Sequence, residues 1–98
     1  MTANALHSEA MRLVQEAILL NVKAFEMERR AAMSLLDKPD KEPTRSILFK
    51  SAGWIALRCD MFESAAEMAR HGLAGNPPAE LRVELEEILK LASDGTKV

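Results

Sequence analysis

The stretch "MFESAAEMARHGLAGNPPAE", Met61 to Glu80, decides how the chain is read. It opens on an aromatic residue, carries small residues at Ala65, Ala69 and Gly72, and stops at Gly75-Asn76-Pro77-Pro78. Apolar residues recur at spacings of three and four, with no strand-like alternation, so the stretch predicts a helix that ends at a glycine and two prolines. Its small residues mark a face that another helix approaches closely. Working outward, every proline lies in "DKPDKEP" (Asp37 to Pro43) or in "GNPP", and "SDGT" holds the last glycine. Between these breakers the periodicity predicts four helices, at roughly 4–36, 43–59, 61–74 and 78–92. Asp60 marks a tight turn between the second and third. The expected fold is all-α, in one domain over 1–98: a long first helix, an antiparallel helical hairpin at 43–74 and a C-terminal capping helix.

The second and third helices match a known spacing. The tetratricopeptide pattern runs W-x2-L-G-x2-Y, then A-x3-F, then P. Phe49 stands at the first aromatic position, Ala52 at the Leu, Gly53 at the Gly and Ala56 at the Tyr. Ala65 stands at the Ala, Ala69 at the Phe and Pro77 at the Pro. Phe62 fits the aromatic that opens the second helix of the repeat, Gly72 and Leu73 fit its end, and Pro43 precedes Pro77 by one repeat length of about 34 residues. Residues 46–79 therefore resemble one tetratricopeptide unit. Ala56 and Ala69 are small where the family is bulky, and Trp54 lies on a different face from the signature aromatic. "EPTRSILFKSAGWIAL" also resembles a helical element of uncharacterised bacterial proteins, which implies no activity.

The resemblance implies a protein–protein interaction module. In that family the side of the first repeat helix away from the seam lines the concave groove that holds extended peptides or helices. Here it would carry Ile47, Lys50, Trp54, Leu57 and Arg58, which fall at spacings of three and four. Trp54 is then an anchor between two cations, suited to an acidic or C-terminal carboxylate ligand. Two other readings stay open: Trp54 as core beneath the first helix, or as part of a self-association interface. Leu48, Ala52, Ile55 and Cys59 face the seam, and Gly53 and Gly72 inside helices need a close packing contact to offset about 1 kcal/mol each.

One repeat cannot bury its own apolar side, so the flanking helices must help. The fourth carries Leu81, Leu85, Ile88 and Ala92 on a narrow stripe. The first carries two stripes. One is Leu6, Ala10, Leu13, Ala17, Leu20, Ala24, Met27 and Ala31; the other runs through Met11, Val14, Ile18, Val22, Phe25, Ala32 and Leu36. Together they span about 200°, twice what a one-sided surface helix needs. The helix is expected to cover its own chain and a second one, as a homodimer or higher homo-oligomer. The interface would use Leu13, Ile18, Asn21, Phe25 and Glu28. Asn21 and Glu28 read either as satisfied polar groups or as a device that sets helix register.

Composition limits the rest. The net charge is −2, from 13 basic and 15 acidic residues, which favours neither nucleic acid nor an anionic membrane. Tyr is absent, leaving three Phe and one Trp, too few for base stacking. The longest apolar run, Ala17 to Leu20, is too short to span a bilayer. The N-terminus lacks a signal-peptide pattern, and a lone Cys59 suits a reducing compartment, so a cytoplasmic location is expected. His7, Cys59 and His71 lack metal-ligand spacing. Glu80, Glu84 and Glu87 read as a solvated face. No nucleophile elbow or phosphate loop is present, so no catalytic residue, metal or cofactor is expected. The different-class alternative is an oligomeric structural or accessory subunit of an enzyme whose activity lies in another chain.

Overall fold

A computed structural model describes residues 3–96. Four α-helices form, α1 (Ala3–Met33), α2 (Thr44–Arg58), α3 (Phe62–Ala74) and α4 (Ala79–Thr96), with a short 3-10 helix at Pro39–Lys41. No strand occurs among the described residues, so the fold is all-α with four helices, as expected.

The helices α2, α3 and α4 run antiparallel in sequence order. Gly53 lies beside Ala65, Gly72 beside Phe49 and Leu85, and Gly95 beside Phe62. Ala56 and Ala69 are fully buried, as the hairpin requires. The two helical glycines serve the fourth helix as much as the hairpin. A methyl on Gly53 would lie 3.1 Å from Ile88 Cγ2, and one on Gly72 would lie 2.8 Å from Leu85 Cδ2 and 3.2 Å from Phe49 Cβ. Their missing side chains let α4 settle against both α2 and α3. Leu85, Ile88 and Ala92 are accordingly fully buried, beside Phe49 and Met68, while Leu81 at the end of the stripe is half-buried.

The α2–α3 turn has a defined cause. Asp60 sits at φ 54°, in the left-handed region. Met61 N–H donates to Ala56 O at 2.9 Å and Asp60 N–H to Leu57 O at 3.1 Å. These bonds close the end of α2 as a Schellman motif, with Asp where glycine is usual.

Two boundaries differ from expectation by more than one residue. The first helix stops at Met33 rather than residue 36, and 34–37 form a turn. There the Leu35 and Leu36 N–H groups donate to Ala32 O and Met33 O, three residues back, and Pro39 has no N–H to offer Leu35 O. Arg45 holds the turn from outside: its Nε donates to Leu35 O at 3.1 Å and its Nη2 to Leu36 O at 3.1 Å. Arg45 is 3% exposed, stacks 5.0 Å from the Phe49 ring centroid and lies against Gly75. It thus ties the end of α1, the start of α2 and the α3–α4 loop together. Glu42 accepts from Ser46 N–H at 3.3 Å and so caps the first turn of α2. The fourth helix continues to Thr96 rather than residue 92. Gly95 leaves room for the Phe62 ring, 2.5 Å from where its Cβ would stand, and this contact holds the last turn against α3.

The described residues extend over 57 × 27 × 19 Å. The 31 residues of α1 account for the long axis, at about 46 Å. Only its C-terminal part joins the core, through Phe25 and Ala32, which meet α2.

Candidate functional site

The helix α1 is divided into two regimes. Every residue from Asn4 to Asn21 is exposed. From Val22 onward the side towards the core closes, with Phe25 at 2% and Ala32 at 0% exposure. The Leu/Ala stripe stays in solvent along its whole length except for half-buried Ala24. Leu13 is 52% exposed, Leu20 66% and Met27 71%. The second stripe divides: Met11, Val14 and Ile18 are exposed, while Phe25 and Ala32 are core. Scattered apolar side chains on a surface need no explanation, but a contiguous strip marks a contact with something else.

Local chemistry adds little to hold this projecting segment. Arg12 Nη1 donates to Glu16 at 2.9 Å and Nη2 to Glu9 at 3.3 Å, both in solvent. Such pairs stabilise a helix by about 0.2–0.5 kcal/mol each. Most helical stability comes from covering an apolar face, and here the face is uncovered.

Of the five residues expected at an oligomer interface, Leu13, Ile18 and Asn21 are exposed, Glu28 is half-buried and Phe25 is buried in the protomer's own core. Phe25 is thus already used within the chain. Asn21 is exposed, so in the protomer it is not a satisfied buried amide.

The five residues of the α2 face are not equally open. Ile47 is 43% exposed and Arg58 is exposed. Lys50 is half-buried, with Nζ 3.5 Å from Glu84 Oε2 on α4. Trp54 and Leu57 are half-buried and packed against the core. Seam residues Ala52 and Ile55 are buried, and Leu48 and Cys59 half-buried. Of the acidic α4 residues, Glu80 and Glu87 are exposed, while Glu84 is half-buried beside Lys50.

Three features were not read from sequence. Arg45 is one, although its spacing from Glu42 at the start of a helix was a usable signal. The second is Arg29 on α1, whose Nη2 lies 3.9 Å from Glu67 on α3. His71 Nε2 meets the same carboxylate at 3.5 Å, and its ring lies 5.6 Å from that of Phe49. The third is a groove of about 660 Å³ along α3 and α4, lined by Phe62, Glu67, Arg70, Leu89, Ser93 and Thr96 among others. Among the described residues no cluster of His, Cys, Asp or Glu is arranged to hold a metal, and no helix is long and apolar enough to cross a membrane.

No family model matches the chain, and neither the curated proteins nor the solved structures contain a match.

Proposed function

We propose that this chain is a non-catalytic protein–protein interaction module, of tetratricopeptide-like build, that self-associates through α1. One observation carries the reading: a helix side lined by Leu6, Leu13, Leu20 and Met27 stands in solvent along α1. The four-helix order and the small residues buried between α2, α3 and α4 support the tetratricopeptide-like assignment. The free thiol of Cys59 supports a reducing, cytoplasmic setting. Light scattering at micromolar concentration tests self-association. A species of twice 10.9 kDa or more is expected, and a clean monomer overturns it.

A second reading, an oligomeric accessory subunit of an enzyme complex, is favoured by the α2 face. Lys50 is engaged by Glu84 and Trp54 packs on the core, which leaves Ile47 and Arg58 as the open parts of a recognition surface. Trp54, the only Trp, reports on its own surroundings. Under the module reading, its emission in the dilute protomer is partly quenched by acrylamide, and Trp54→Ala abolishes partner capture while the fold survives. A blue-shifted, unquenchable emission puts the subunit reading ahead.

A further inference from the structure

Self-association through α1, proposed above, leaves open how two copies meet, and the exposed stripe carries that information. We infer that α1 pairs with α1 of a second copy in antiparallel fashion, centred between Ile18 and Leu19.

The first argument is size. The stripe alternates strictly between a large and a small residue: Leu6, Ala10, Leu13, Ala17, Leu20, Ala24, Met27, Ala31. In a parallel, in-register pair each residue meets its own copy across the seam. Leu–Leu layers would then alternate with Ala–Ala layers, and no single helix spacing fills both. In the antiparallel pair Leu6 meets Ala31 of the second copy, Ala10 meets Met27, Leu13 meets Ala24, and Ala17 meets Leu20. Every layer then holds one large and one small side chain, which is the condition for interdigitated packing. The two-fold axis makes each of these contacts occur twice.

The second argument is charge, and it is independent of the first. The positions flanking the seam on one side are Glu9, Glu16, Lys23 and Arg30. The same antiparallel register places Glu9 beside Arg30 of the second copy and Glu16 beside Lys23. On the other flank it places His7 beside Glu28, and Val14 beside Asn21. Flanking charges set the orientation of paired helices, and here no like charges meet. A parallel pair instead sets Glu9 against Val14 and Glu16 against Asn21, and matches only Lys23 with Glu28. Within the protomer Glu9 and Glu16 share Arg12, but in solvent, and a carboxylate can accept from both cations.

The third point is access. Phe25 and Ala32, which face α2, lie about 120° round the helix from the seam, so α2 leaves room for a second helix. Of the seam residues Ala24 alone is half-buried, packed against the protomer's own core, and the other seven are exposed to receive it.

The test uses the full chain and two pairs of variants. Glu9→Lys with Glu16→Lys, and separately Lys23→Glu with Arg30→Glu, should each weaken self-association at least tenfold. An equal mixture of the two variants should form a heterodimer as tight as the wild type, because each 9/30 and 16/23 pair again joins opposite charges. A mixture no tighter than its components overturns the register. In a Cys59→Ser background, Leu13→Cys mixed with Ala24→Cys should form a disulfide on mild oxidation, whereas Leu13→Cys alone should not. If Leu13→Cys cross-links to itself, the pairing is parallel: the antiparallel inference falls while self-association stands. A wild-type chain that stays monomeric overturns both.

Discussion

The projecting half of α1 and the α2–α4 bundle are built from similar residues and meet opposite fates. Both alternate large aliphatic with small residues at helical spacing. In the bundle, Leu85 and Ile88 rest where Gly72 and Gly53 leave room, and the large and small members belong to one chain. In residues 4–21 the same alternation faces water. Apolar periodicity therefore marks a surface that will be covered, and chain connectivity decides whether the cover is internal. Short loops bring α2, α3 and α4 together, as the turn at Asp60 shows. The turn at 34–37, fixed by Arg45, docks only the C-terminal part of α1 on α2, and the rest of the helix runs past the end of the domain.

The strongest way to break this comparison is to remove a large side chain from each region. Leu85→Ala should cost about 3–5 kcal/mol, because it opens a cavity in a fully closed core. In a small domain of marginal stability that is enough to unfold much of the population. Leu13→Ala should change the stability of the dilute protomer by under about 0.5 kcal/mol, yet weaken self-association. Urea denaturation at low and high protein concentration separates the two. Equal costs at low concentration would mean that α1 is covered within the protomer.

Adding bulk sharpens the contrast. Ala69→Leu should overpack the space between the helices and cost about 1–3 kcal/mol. Ala17→Leu, the same change on the exposed stripe, should leave the dilute protomer's melting temperature unaltered and act only on association. Matching shifts in the two melting curves would erase the distinction between the regions.

The smallest effect concerns the turn that closes the bundle. Asp60→Gly should relieve a left-handed residue and raise stability by about 0.5 kcal/mol, whereas Asp60→Val should lower it by about 1–2 kcal/mol. A gain from the Val variant would show that the turn does not hold this conformation in solution.

Much of the fold is legible in the sequence. Helix number, the break at each proline cluster, the turn at Asp60 and the burial of Ala56 and Ala69 follow from local rules: proline and glycine end helices, and small residues at helical spacing mark close contacts. The double apolar stripe of α1 was legible too, because periodicity is a property of the chain. Three things needed the tertiary structure. Which half of the second stripe is covered depends on where α2 ends up, so Phe25 became core while Ile18 stayed in solvent. The last turn of α4 survives a glycine because the Phe62 ring lies against it, a contact between residues far apart in sequence. The turn after α1 is held by Arg45, whose guanidinium donates to the carbonyls of Leu35 and Leu36 from the start of the next helix. Long-range partners compete with local propensity for the same backbone groups, and that competition is decided only once the chain has folded.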